Sequence, residues 1–165
     1  MRATTRTARA ATAIIIASVP PLTGGAGAAL AEAGSTFLPF GQTLRRCDFS
    51  DIKYVGGGAY GRPTAQVRTE GAEVVADVQL ATGSLDTRYD VRVIQAPRPS
   101  ARPCNAGDPG VAAGALFTDS AGAGATTVRG PRTAGATGVW VFITRPGVHS
   151  QIPEEFYTSG MIAAL

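Results

Sequence analysis

Between Ala72 and Ala96, hydrophobic and polar positions alternate with a period of two. Val74, Ala76, Val78 and Leu80 fall on one side of the chain, and Glu73, Asp77 and Gln79 on the other. The pattern breaks at Thr82-Gly83-Ser84-Leu85-Asp86. It resumes with Tyr89, Val91 and Val93 opposite Asp90 and Arg92. A two-residue period carried by β-branched and aromatic side chains predicts strands. A short break containing Gly and Asp is of hairpin length. The stretch therefore predicts a two-stranded antiparallel hairpin with one apolar face. A lone hairpin is at best marginally stable in water, so that face requires a second layer.

Similar short segments recur along the chain. Ile52 to Val55, Ala65 to Thr69, Ala115 to Thr118, Ala125 to Arg129 and Phe156 to Leu165 read as strands, separated by turn-forming Gly, Pro and Asp. Val139-Trp140-Val141-Phe142-Ile143 is apolar on both faces, the pattern of a central strand covered on both sides. Ala96-Pro97-Arg98-Pro99-Ser100-Ala101-Arg102-Pro103 is too rich in proline to join a ladder. It predicts an extended crossover from one sheet to another. Beyond the N-terminal segment, no stretch carries the spacing of an amphipathic helix. About seven or eight short strands with regular turn signals predict an all-β fold, a two-layer antiparallel sandwich of immunoglobulin-like type.

The N-terminal segment has a different character. Arg2, Arg6 and Arg9 precede an apolar run from Ala10 to Val19, and Ala29-Leu30-Ala31 offers a small-x-small cleavage pattern. This is the build of a secretory signal peptide, with cleavage expected after Ala31. Pro20-Pro21 and Thr23-Gly24-Gly25 interrupt the run short of the roughly 20 apolar residues a span requires. The organisation expected is a signal peptide at 1–31, a loosely ordered lead-in at 32–43 and a β-sandwich domain at 44–165. Removing the signal changes the charge. The whole chain has 15 basic and 12 acidic residues. Without Arg2, Arg6 and Arg9 the count is 12 against 12, and a neutral chain gives no bulk-charge argument for nucleic-acid binding. The expected location is extracellular or at the cell envelope, with an unidentified partner there and no stable membrane span.

Two cysteines, Cys47 and Cys104, remain after cleavage. An even count in an exported chain predicts a disulfide. With no C-x-x-C and a single His, a metal pair has too few ligands.

Candidate chemistry is sparse. Gly56-x-Gly58-x-x-Gly61 matches a dinucleotide-binding fingerprint literally, but Arg62-Pro63 and a strand follow it where a helix is needed. It reads as a turn. His149 lies in a loop segment, and none of the seven serines after Ala31 sits in G-x-S-x-G. Asp119-Ser120-Ala121-Gly122 has too few acids for a calcium loop, and Asp108, before Pro109, reads as a turn residue. Glu154 and Glu155 are neighbours on an extended chain, so their side chains diverge. They read as solvated rather than as an acid/base pair. Trp140 and Tyr89 read as core aromatics. Arg88 and Arg92 flank Asp90 on one strand face, a charge-balanced surface. No catalytic, cofactor-binding or metal-ligating residue is assigned, and no cofactor is expected.

Several of these pieces recur together in a known group. Arg88-Tyr89-Asp90-Val91-Arg92-Val93, Cys104-Asn105, Gly114-x-Leu116-x-Thr118-Asp119-x-x-Gly122-x-Gly124, Gly138-Val139-Trp140-Val141 and Tyr157-Thr158-Ser159 cover most of residues 44–165. They resemble small secreted actinobacterial β-sandwich proteins of mycobacterial type. The resemblance implies one secreted sandwich and no known active site. The function expected is a non-enzymatic module acting by binding. The alternatives are a small hydrolase or ligand carrier with a pocket at one end of the sandwich, and a structural envelope protein.

Overall fold

The computed structural model describes residues 34–54, 58–147 and 153–165. The expected signal peptide and His149 lie outside them. Nine strands run in chain order: β1 (Thr36–Gly41), β2 (Arg62–Glu70), β3 (Glu73–Ala81), β4 (Arg88–Ala96), β5 (Val111–Phe117), β6 (Gly124–Pro131), β7 (Gly138–Arg145), β8 (Glu155–Ser159) and β9 (Ala163–Ala164). No helix occurs among the described residues.

All pairings are antiparallel, in the order β5-β4-β7-β8-β1-β2-β3-β6, with β9 also on β7. The order is continuous because β1 changes neighbours part-way. Its Thr36–Pro39 half pairs with β2, and Phe40 and Gly41 pair with Ser159 and Thr158 of β8. The two end strands, β5 and β6, then lie against each other without a ladder. Their approach depends on missing side chains: a Cβ on Gly130 would stand 2.6 Å from that of Ala112. The result is a nearly closed barrel-like sheet. The expected all-β antiparallel fold is present, and its ladders form two sets, β1-β2-β3-β6 and β5-β4-β7-β8-β1, that are continuous through β1.

The predicted opening hairpin is corrected. Both of its strands exist, as β3 and β4, but they do not pair. β3 pairs with β2 and β6, and β4 with β5 and β7. The true hairpin is β2–β3, joined at Gly71-Ala72 with Gly71 at φ 58°. The break at residues 82–87 crosses the barrel mouth. Thus Val74, Ala76, Val78 and Leu80 face Tyr89, Val91 and Val93 through the interior instead of lying beside them. Leu38, Val67, Leu116, Val128, Val141, Ile143 and Tyr157 complete this inner core. Leu38 is fully buried, so within the expected loose lead-in at 32–43 residues Thr36–Gly41 form a structural strand. Ile52 to Lys53, by contrast, joins no strand; a single bridge, Arg45 to Asp51, organises that region.

A second core lies outside the sheet. The alternate residues of β7, Trp140 and Phe142, point outward to meet Ile94 and Phe156, so β7 is apolar on both faces as predicted. Two connections cover them. Residues 42–54 supply Leu44, Cys47 and Phe49, and the Phe49 and Trp140 rings meet edge-on with centroids 5.5 Å apart. The Pro-rich connection at 97–110 supplies Cys104. It does not move the chain between sheets, since β4 and β5 are paired neighbours. Instead it makes an excursion over the apolar outer face. Arg98, itself buried, holds it by donating to the Pro103 and Pro109 carbonyls. The Cys47–Cys104 disulfide fastens the two covers to each other, Cα to Cα 5.5 Å.

Candidate functional site

β1, β3, β5 and β7 end, and β2, β4, β6 and β8 begin, at the same end of the barrel. Residues 58–61, 82–87, 118–123, 146–147 and 153–154 therefore gather at one mouth. β8 opens with Glu155, and alternation along β8 turns its side chain inward beside Tyr157. Glu155 is only 6% exposed, the one buried acid among the described residues.

Four donors converge on this carboxylate. Oε2 accepts from Tyr89 Oη at 2.8 Å, Ser84 Oγ at 3.0 Å and Arg145 Nε at 3.2 Å, while Oε1 accepts from Tyr157 Oη. Each tyrosine hydroxyl also accepts a backbone N–H: Ser84 gives its own to Tyr89 at 2.8 Å, and Gly61 to Tyr157 at 2.7 Å. Burial alone would raise the carboxyl pKa. The hydrogen bonds from Tyr157, Tyr89, Ser84 and Arg145 outweigh it and hold the group below its ordinary value. Burial, with the anion alongside, pushes both tyrosine hydroxyls up, so they remain protonated donors.

Gly61 has a spatial role here. A Cβ at that position would sit 2.2 Å from Tyr157 Oη. The last glycine of the GxGxxG-like stretch is thus fixed by a tyrosine behind it, and no helix or phosphate site follows it. Two openings flank the segment from Gly58 to Gly61. One, of about 230 Å³, is lined by Tyr60, Thr82, Ser84, Arg145, Glu154 and Glu155. The other, of about 570 Å³, forms where β1 leaves β2 for β8, and is lined by Phe37, Pro39, Phe40, Arg62, Pro63 and Tyr157 among others. Phe37 is 53% exposed on its rim.

The predicted candidates distribute as follows. Glu154 and Glu155 were expected to point apart into solvent; instead Glu155 is buried, and Arg145 bridges the two by pairing with both. Sequence spacing could not show this, because Ser84 and Tyr89 reach Glu155 from residues 71 and 66 positions away. Tyr89 and Trp140 are fully buried core aromatics as read. Asp119 caps its own turn, accepting from the Ala121 and Ala123 amides, which lower its pKa. Asp108 closes the 105–108 turn onto Asn105 N. No group of three or more His, Cys, Asp or Glu converges among the described residues.

No family model, curated protein or solved structure matches this chain. Among the described residues, Ser84 bonded to Glu155 is the nearest approach to a nucleophile with a base. Yet the carboxylate already holds four donors, and its lowered pKa makes it a weak proton acceptor at neutral pH. The cluster is built as a strut joining β8 to β4, to the 82–87 connection and to the start of β2.

Proposed function

We propose that this chain is an exported module that acts by binding, outside the cell or at its envelope, and not by catalysis. The observation that carries the reading is the saturation of Glu155. The one buried acid among the described residues is spent on internal donors. Among the described residues this leaves the surface to carry the activity. The disulfide is compatible with an oxidising location. No helix among the described residues is long and apolar enough to cross a membrane.

The groove at the β1 changeover is the best binding surface for this reading. Phe37 and Phe40 offer ring faces and edges, Pro39 is rigid, and Arg62 gives a charged rim. Rigid aromatic and proline side chains lose little rotamer entropy on binding. A photo-reactive phenylalanine at position 37, exposed to envelope extract, tests the proposal. Crosslinks to a discrete partner from position 37, absent from a control at Thr127, three strands along the same outer face, support it. Equal labelling from both positions rejects this groove as the surface.

The hydrogen bond from Ser84 to Glu155 favours the alternative, a small hydrolase with a pocket at one end. It is tested by replacing Ser84, as described below.

A further inference from the structure

The geometry points to a second site, on the outer face of β4 and β5, that takes a small organic carboxylate. This inference is independent of the β1 groove. β4 presents Arg88, Asp90 and Arg92 outward at alternate positions. Opposite them in register, β5 presents only Phe117, Ala115 and Ala113. The size difference leaves a groove of about 590 Å³, with Gly114 in its floor, Ala106 of the disulfide-anchored connection at one side and Thr144 of β7 at the other. That volume lies in the range of small-molecule sites.

The charges in the groove are unevenly used. Arg88 Nη2 pairs with Asp90 Oδ1 at 2.6 Å, so the Asp90 carboxylate is engaged. Arg92 has no ion-pair partner among the described residues. Its guanidinium lies over the Phe142 ring, 4.6 Å from the centroid, and Nη1 donates to the Cys104 carbonyl at 3.0 Å. These two contacts fix its plane. Nε and Nη2 donate to nothing among the described residues. Burial lowers the Arg92 pKa, the signature of a cation short of water, yet arginine stays charged in proteins. A partly desolvated, oriented fork with unused donors suits a carboxylate, which accepts two parallel N–H bonds. Thr144 adds to this: it is 6% exposed, lines the groove, and its hydroxyl has no hydrogen bond to a described residue.

The formal charge of Arg88, Asp90 and Arg92 together is that of one cation. One negative charge balances it and two do not, which favours a carboxylate over a phosphate dianion. The alanine floor offers contact to an apolar body attached to that head. The site thus fits a monocarboxylate with a small hydrophobic moiety.

Benzoate is the probe, followed by amide NMR shifts of isotope-labelled full-length protein. Benzamide serves as the uncharged isostere and inorganic phosphate as the dianion. Saturable benzoate shifts at Arg92, Ala113, Ala115 and Thr144 are expected, with benzamide and phosphate weaker. Arg92→Gln should weaken benzoate roughly tenfold or more, the effect of losing charge-assisted hydrogen bonds. Because Arg92 also braces Cys104, Thr144→Val is the second variant, and it should weaken benzoate with the fold unchanged. No saturable shift, equal binding of benzamide, stronger binding of phosphate, or undiminished affinity in a folded Arg92→Gln or Thr144→Val protein each overturns the proposal.

Discussion

Replacing Glu155 by Gln is the sharpest perturbation the barrel mouth offers, because the shape is kept and only the charge and one acceptor are lost. The amide must place its oxygen where Oε2 was, since Arg145 Nε–H, 3.2 Å away, can only donate. Its NH2 then faces Tyr157 Oη, which already accepts the Gly61 amide. The Tyr157 hydroxyl is left buried with no acceptor, a cost of about 1–3 kcal/mol. The bonds from Tyr89, Ser84 and Arg145 also lose their anion. Arg145 keeps its pair with Glu154, so the loss expected here is that of charge-assisted hydrogen bonds and one stranded hydroxyl, about 2–4 kcal/mol in all. In Tm it is roughly 10 °C for a domain of this size. Chemical denaturation of the variant, of Tyr157→Phe and of the double variant measures it. Tyr157→Phe should cost less on the Glu155→Gln background than on the wild type, because its partner is already gone. The pH dependence has a definite sign. The folded Glu155 pKa is depressed, so its contribution is full above the unfolded value, near about 4.3, and is lost as pH falls through the lower folded value. The stability gap between wild type and variant should be flat above about pH 5 and shrink below about pH 4. A loss under about 1 kcal/mol, or additive single and double variants, would refute the strut.

Three further outcomes rest on the same geometry. Gly61→Ala forces Tyr157 Oη away from a Cβ that would stand 2.2 Å from it, and should destabilise by about 1–3 kcal/mol in thermal melts, whereas Gly58→Ala, with open space around it, should be near neutral. The Cys47→Ala/Cys104→Ala double variant opens a ring with sequence separation 57 and should lose about 2–5 kcal/mol, with limited proteolysis cutting first between Pro97 and Pro103. Ser84→Ala should leave any hydrolysis of an ester substrate panel at the wild-type level; a selective loss in the folded variant would favour the hydrolase reading.

The strands were legible because their two-residue period is local. Val74 to Leu80 and Tyr89 to Val93 carry it in their own sequence, and β7 declares both covered faces through Val139 to Ile143. Pairing was not legible. Nothing between Thr82 and Asp86 distinguishes a hairpin loop from a crossing of the barrel mouth; left-handed backbone at Thr82 and Asp86, φ 54° and 46°, serves either. The tight Gly71 turn is the local signal that marks the real hairpin. β1 reads as a loose lead-in because Pro39 and Gly41 weaken its pattern, and its place depends on β2 and β8. The buried Glu155 was hidden for a related reason: its partners come from separate stretches of the chain, and Glu154 beside it is solvated.

The changeover in β1 has a consequence for how the molecule comes into being. Phe40 and Gly41 find their partners in Ser159 and Thr158, and the Thr158 hydroxyl reaches the Thr43 carbonyl across 115 residues of chain. A polypeptide threaded N-terminus first through a channel, as the proposed export requires, cannot complete that junction until β8 has come out behind everything else. Local hairpins such as β2–β3 can form in transit, but the circuit of strands stays open. Pairings this distant in sequence carry a large loop-closure cost, and folding dominated by them runs in milliseconds to seconds. The circuit of strands therefore locks only once the whole chain has arrived.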